Sequence, residues 1–454
     1  MMDPQIPAQA LGAPLQGSPP RWSGAFRRIA SHPWLIQYHR LVALVIVLNL
    51  WLLGTGLAED GWWWDATHRL QSLSHLVLAD FAVAVLVRQQ YVVNLLFWLA
   101  TRAPTSWPLA VRWQLAKVFH FGGLHSGCAT VATVWFALFT GTVIVHAWRG
   151  LPGVSAPLAG VSVLLVALLV GIVVMALPKI RARLHNQFEL VHRFGGWTAL
   201  ALFWVHAFLF VDAQRGATGF AEALWASPAP WVLIGICFSI ALPWLRLKRV
   251  RVETVKPSSH AVVVRFKHGE TPFPGSSTAI SRHPLIEWHS FANIPTPGEE
   301  GFRLIISRAG DWTGRFIDET PQHVWVKGIT TAGVANIETL FRKVVYVATG
   351  SGIGPVLPHL LAQRVPMKLI WSTRSPRKTY GDALVEEILA AQPDSLIWDT
   401  DARGKPDLVR LALAALRESG AEAVICIANQ KLTQEVIRQM ECRGIPAYGA
   451  IWDS

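Results

Sequence analysis

Val344-Val345-Tyr346-Val347-Ala348-Thr349-Gly350-Ser351-Gly352-Ile353-Gly354-Pro355 decides how the last third of the chain folds. The first six residues are mostly apolar on both faces and rich in β-branched side chains, as in a buried strand. Three alternate glycines follow, and Pro355 suits a first helical turn. Glycines let a backbone approach a phosphate closely, and a helix N-terminus offers free N–H groups and the positive dipole end. The pattern is not a strict G-x-G-x-x-G, so a tight turn without a ligand is the plain alternative. Working outward, strand-like runs recur at 367–373, 395–400, 423–428 and 447–452, with helical runs between them. Strand and helix in alternation predict a doubly wound parallel sheet over 336–454. Upstream, 261–266, 302–307 and 323–326 are short β-rich runs separated by Pro and Gly, which predicts a small antiparallel β-barrel over 250–335.

The first half is of another kind. Of 454 residues, 52% are hydrophobic and 15% charged, well under the quarter usual in soluble domains. Six apolar runs (40–57, 70–87, 115–145, 158–177, 188–211 and 231–247) are long enough to cross a bilayer. They predict a six-helix transmembrane domain over 35–249, behind a disordered cytoplasmic tail, 1–34, that lacks a signal-peptide pattern. A shorter amphipathic run, 91–100, is expected on the inner surface. The net charge is +12, but it flanks apolar runs instead of forming a basic domain, so no nucleic-acid partner is expected. Arg88, Arg102, Arg112, Lys117, Lys179, Arg181, Arg183, Arg246, Lys248 and Arg249 fall on one side of the runs. The positive-inside rule then places both termini in the cytoplasm, with the chain in the cell (inner) membrane and the bilayer as a partner. Four Cys without a framework give no disulfide scaffold.

At the end of the second C-terminal strand an acidic residue would bind a ribose 2′-OH. Here stand Arg374, Arg377 and Lys378, which suit a 2′-phosphate and favour NADPH over NADH. A solvated basic loop is the alternative.

A small barrel followed by this nucleotide fold resembles the ferredoxin–NADP reductase superfamily. Six preceding apolar helices make it similar to the ferric reductase and NADPH oxidase branch. Three segments carry the likeness: His289-Ser290-Phe291-Ala292 after Glu287-Trp288, Gly310-Asp311-Trp312-Thr313, and the turn with Gly350, Gly352 and Gly354. The resemblance implies FAD between barrel and sheet, with Phe291 at the isoalloxazine, His289 and Ser290 at the ribityl-pyrophosphate, Asp311, Trp312 and Thr313 in the second flavin segment, and Trp452 over the ring. The chain departs from the family where Ser290 replaces Pro, where Cys426-Ile427-Ala428-Asn429 replaces Cys-Gly-Pro, and where 328–333 lacks Gly-Pro. A looser likeness is to membrane proteins related to large adenylating, peptide-synthetase-like polypeptides, and points to a biosynthetic substrate.

Histidine in lipid is costly and is the commonest haem ligand. His192 and His206 are fourteen residues apart, about 40° short of four helical turns, hence on one face roughly 21 Å apart. This is similar to the bis-haem helix of ferric reductases. The third run offers His120 and His125, but fourteen residues beyond them stand Val134 and Phe139. One haem b at most is expected, held by His192 with His120 or His125, while His206 lacks a partner ligand. His75 and Asp80 lie in the second run, where a carboxylate needs a partner. Together these features predict a membrane flavoprotein oxidoreductase passing electrons from NADPH through FAD to an unidentified acceptor. Its rivals are a haem-free membrane oxidoreductase of a biosynthetic substrate and a non-catalytic partner that retains the fold.

Overall fold

The computed structural model describes residues 32–58 and 61–450. Trp452 and residues 1–31 of the expected tail lie outside the described residues. The helices used below are α1 (Gln37–Leu57), α2 (Ala66–Leu86), α3 (Gln90–Thr101), α4 (Leu109–Leu115), α5 (Gly122–Trp148), α6 (Ala156–Ala176), α7 (His185–Gln214), α8 (Pro228–Leu245), α9 (Asp311–Glu319), α10 (Ile353–Ala362), α11 (Asp382–Ala391), α12 (Leu408–Ser419) and α13 (Gln430–Glu441). The chain divides into two compact units. One is helical, Gln37–Val92 with His120–Leu245. The other contains the sheets, Arg246 onward, together with the connector Val93–Phe119. The sequence reading had counted that connector with the membrane domain.

Six helical segments are long and apolar enough to cross a membrane. α6 shows how little else they need. Ser155 accepts from Leu158 N at 3.3 Å, Pro157 sits in the first turn, and the helix is apolar on every face. α5 packs on α1, α2 and α6, burying Trp135, Phe136, Phe139 and Val143 against Leu70, Leu73, Leu158 and Leu165. Gly123 and Gly127 belong to this packing. A Cβ on Gly123 would lie 2.4 Å from Tyr38 O, and one on Gly127 3.2 Å from Val45 Cβ. These glycines bring α1 close to α5, as small residues do between apolar helices.

In the other unit β1 (Leu247–Val255) starts two residues after α8 ends, where the sequence reading had let the last helix run to 247. β2 (Ala261–Phe266), β3 (Ser276–Ser281), β4 (His289–Ala292), β5 (Phe302–Ser307), β6 (His323–Lys327) and β7 (Thr331–Ala332) complete one sheet. Its order is β4-β3-β6-β1-β2-β5, with β7 on β3. Just past β4, Ile294 pairs with Arg303 of β5, which closes the sheet into a barrel. Val250, Val262, Val264, Ile280, Leu304, Ile306 and Val326 fill it, and α9 caps one end with Trp312, Phe316 and Ile317.

The second sheet holds β8 (Val344–Thr349), β9 (Met367–Thr373), β10 (Leu396–Asp399), β11 (Ala423–Ile427) and β12 (Ala447–Tyr448), all parallel, in the order β10-β9-β8-β11-β12. α12 and α13 cover one face through Leu411, Ala415, Val436 and Met440. The expected architecture of apolar helices, barrel-like sheet and parallel sheet is present.

Candidate functional site

The parallel sheet reverses its winding between β8 and β11, and open α/β sheets bind ligands outside the strand ends at such a reversal. The 350–352 turn stands there. Gly350 has φ +50°, a left-handed conformation that favours glycine. Gly352 is fixed by space: a Cβ would lie 2.1 Å from Ile427 O at the end of β11. Buried Trp371 donates its Nε1–H to Gly350 O at 3.0 Å, and Ser351 is exposed at the tip. α10 starts at Ile353, so its first N–H groups open at this turn. Gly354 comes close to β5, with a Cβ position 3.9 Å from Ile305 O, and α10 also packs on β4. The glycine turn and the flavin-like strand therefore meet through one helix.

Of the basic trio at the end of β9, Arg377 is committed elsewhere. It binds Asp382 at 3.0 Å and Glu386 at 2.6 Å, and the Asp382 bond leads in raising its pKa. Arg374 and Lys378 are exposed and make no ion pair among the described residues. Cys426 is fully buried, and burial pushes its thiol up to about 12. That is an inert core thiol, not a reactive one. Asn429, just past β11, caps α13 by accepting from Leu432 N at 3.0 Å.

The barrel brings three expected residues together. His289 stacks on Trp312 with centroids 4.0 Å apart, and Phe291 lies 6.1 Å from the same indole, against the barrel core. Glu287 holds the indole by accepting from Trp312 Nε1 at 2.6 Å. Strand alternation turns Ser290 to the opposite, exposed face. Thr313 shapes the turn before α9, its Oγ1 accepting from Ala309 N at 2.9 Å and Gly310 N at 3.0 Å, and Asp311 is exposed in the first turn. A hollow of about 240 Å³ opens beside the 328–333 loop, lined by Thr278, Lys327, Gly328 and Thr330. Thr278 Oγ1 is buried and has no hydrogen-bond partner among the described residues.

Three features were not read from the sequence. Asn94 of α3 grips the 328–333 loop twice, donating to Thr330 O at 2.9 Å and accepting from Ala332 N at 2.8 Å. A lone Asn among apolar residues of α3 was the available signal. Arg112, 2% exposed, forms a forked pair with Glu422 at 2.7 and 3.2 Å and donates to Leu340 O at 2.7 Å. Burial raises the Glu422 pKa, but the bonds from Arg112 and Arg342 N outweigh it and hold the carboxyl below its usual range. Glu338, 1% exposed, accepts from Tyr346 Oη at 2.9 Å and meets His359 Nδ1 at 2.6 Å. Burial, then Glu338, raises the Tyr346 phenol well above its ordinary pKa.

In the helical unit His125 meets His192 edge to face, with ring centroids 6.0 Å apart. That separation would allow the two imidazoles to hold one iron between them. His125 Nδ1 lies 2.7 Å from Ala84 O, the carbonyl partner that orients a ligating imidazole. His192 is exposed, with Phe188 stacked on it. His120 lies buried in the Ala116–Phe121 turn before α5. His206 is 6% exposed, with Phe136, Phe139, Phe203 and Phe210 around it at 5.2 to 6.4 Å. Its Nε2 has no hydrogen-bond partner among the described residues. Asp80 finds its partner in Asn49, at 3.5 Å, and Trp135 Nε1 donates to Asn49 Oδ1 at 2.7 Å. His75 is exposed and apart from this chain of bonds.

Known proteins resemble the chain over different lengths. A family described as the C-terminal domain of adenylate-forming reductase 03009 matches residues 334–454. Adenylate-forming reductase 03009 of Coprinopsis cinerea is 41% identical over 437 residues, 96% of this chain and 42% of that protein. Adenylate-forming reductase 06235 of the same organism is 40% identical over 442 residues, again 96% and 42%. The chain thus spans less than half the length of these curated relatives. Solved structures similar to part of it include a ferredoxin NADP+ reductase from Neisseria gonorrhoeae with bound FAD and NADP (TM-score 0.36, 13% identity, 45% of this chain and 98% of that one). Ferredoxin-NADP+ reductase from Plasmodium falciparum is another (TM-score 0.37, 10% identity, 46% and 96%).

Proposed function

We propose that the chain is a membrane-embedded flavoprotein oxidoreductase of the NADPH-dependent kind, delivering electrons through FAD, and one haem b held by His125 and His192, to an acceptor in or beside the helical unit. What carries the reading is the meeting, through α10, of the glycine turn at the sheet reversal with barrel strands β4 and β5. Bound FAD supplies the exchange between a hydride pair and single electrons.

The chain's own residues have separable tasks. Gly350 and Gly352 keep the turn open to a pyrophosphate, and the first N–H groups of α10 face it. Arg374 and Lys378 hold the 2′-phosphate, while Arg377, tied to Asp382 and Glu386, keeps the loop in shape. Asn94 and Thr278 shape the hollow beside 328–333. Ala84 O fixes the tautomer of His125.

The packing around His206 favours an acceptor reached in the half of the bundle near His192. The adenylate-forming reductase relatives favour an organic acceptor over iron. The alternative without haem keeps the same flavin module and the same acceptor. The deciding experiment is an absorption spectrum of the detergent-purified chain before and after NADPH, with flavin and haem quantified. Flavin bleaching with a shifted Soret band in wild type, and no Soret band in His192→Ala, is the expected result. Flavin without a Soret band selects the haem-free alternative. A purified chain that holds no flavin and does not oxidise NADPH overturns the proposal.

A further inference from the structure

We infer that the outer face of the barrel carries a second anion site, separate from the dinucleotide turn and built for a phosphomonoester. A groove of about 500 Å³ crosses strands β1, β6 and β3. Strand register builds it: Arg249 of β1 stands opposite Trp325 of β6, which stands opposite Ser281 of β3, and Arg282 and His283 follow directly. His323, two residues before Trp325, completes the lining. No acidic side chain lines the groove.

The two arginines are prepared differently. Glu319, at the end of α9, holds Arg282 by one nitrogen at 2.5 Å, which orients the fork and leaves its other donors available. Arg249 is exposed and makes no ion pair among the described residues. A guanidinium fork matches two oxygens of one phosphate, and Trp325 gives the ligand's remainder a flat apolar wall. The groove's lining includes no residue of either flavin-like segment, His289–Ala292 or Gly310–Thr313. It adjoins the C-terminal end of nine-residue α9, whereas Gly310–Thr313 forms the other end, about 12 Å away at 1.5 Å per residue.

Arg249 stands four residues after the last apolar helix, in a run that includes Arg246, Lys248 and Arg251. If the membrane reading above holds, a phosphorylated lipid headgroup is one source of the ligand. A soluble phosphomonoester is the other. The two share one chemistry, and the test separates them.

The full chain in detergent is titrated by calorimetry with dioctanoyl phosphatidylinositol 4-phosphate, with inositol 1,4-bisphosphate and with dioctanoyl phosphatidylcholine. The expected result is saturable binding of the first, weakened about tenfold by Arg249→Ala and further by Arg249→Ala with Arg282→Ala. Equal binding of inositol 1,4-bisphosphate identifies a soluble phosphate as the natural source, and much weaker binding identifies the lipid; both support the site. No binding of either phosphorylated probe overturns it. So does binding unchanged in the variants, or phosphatidylcholine binding as well. Arg249→Ala breaks no ion pair, so loss of binding there is not unfolding. Flavin content and NADPH-supported dye reduction, measured on the same samples, stay at wild-type level. They report on the redox reading independently of the groove.

Discussion

His192 and His206 share helix α7, one face and one residue type, yet their surroundings are opposite. Around His192 the bundle is open: the ring is exposed, and 6.0 Å away stands a second imidazole oriented by a backbone carbonyl. Around His206 four phenyl rings close, and one of its nitrogens is buried without a partner. In the proposed function the exposed His192 and the oriented His125 are the pair that would hold an iron. A polar side chain sealed among apolar rings is a packing element that bears a desolvation cost. Helical spacing makes the two histidines equivalent, and only their neighbours separate them.

The largest effect expected from this contrast is on bound haem. If His125 and His192 hold a haem as proposed, His192→Ala or His125→Ala should abolish the Soret band of the purified chain. His206→Ala should leave that band at wild-type intensity. Loss of the band in His206→Ala, or its survival in both of the other variants, reverses the assignment. Phe139→His tests the sealed end from the other side. It restores a ligand opposite His206, but Phe136, Phe203 and Phe210 still fill the space, so haem content per chain should not rise.

Next in size is the buried ion pair of the other unit, where a polar group is both sealed and satisfied. Glu422→Ala strands the Arg112 guanidinium in a site with 3% side-chain exposure. Breaking one side of such a pair costs about 3–5 kcal/mol, read as a lower unfolding midpoint of the sheet-bearing unit. The pH dependence has a definite sign. The folded carboxyl is held below the ordinary glutamate value of about 4.3, so its contribution is complete above that value. It is lost as pH falls through the depressed one. Wild type should show this acid-side loss and Glu422→Gln should lack it. Identical acid profiles would mean that the pair contributes nothing.

The order of these effects mirrors what the sequence can and cannot convey. The length of the apolar runs located the six apolar helices, and short β-rich runs between turn residues placed strands β2, β5 and β9 at their observed bounds. β3 was missed because Ser276-Ser277-Thr278 is polar, and its burial depends on strands on both sides. The glycine turn was legible because Gly350 and Gly352 are demanded locally, by a left-handed φ and by the nearness of Ile427 O. The arginine loop was only half legible: nothing in its sequence says that Arg377 is consumed by Asp382 and Glu386. Asn94 and Arg112 were invisible as site residues because their partners lie more than two hundred positions away in the chain. Long-range pairing of this kind leaves no local periodicity to read.

A smaller effect is expected at the Asp80 network, where sealing and satisfaction are balanced. Asn49 accepts from Trp135 and donates toward Asp80. Asn49→Leu leaves the indole N–H and the carboxylate without that partner, at about 1–3 kcal/mol for each group left unsatisfied. The unfolding midpoint of the helical unit should fall by several degrees, with haem and flavin content retained. An unchanged midpoint would show that water replaces Asn49 in this layer.

The smallest effect is expected at His206 itself. His206→Leu keeps the apolar volume and removes a buried nitrogen that lacks a partner, which relieves about 1–3 kcal/mol of desolvation. It also gives up edge contacts with the surrounding phenyl rings, each worth about 0.5–1.5 kcal/mol. The two terms oppose each other, so the unfolding midpoint should shift less than in Asn49→Leu, with unchanged reduction of flavin by NADPH. A packing residue tolerates that exchange because its role is set by shape. A ligand, or a group that carries protons to an acceptor, does not tolerate it. A His206→Leu chain that is stable but no longer turns over with an added acceptor would place His206 in the redox path, and the contrast between the two ends of α7 would then lie in the kind of function each serves.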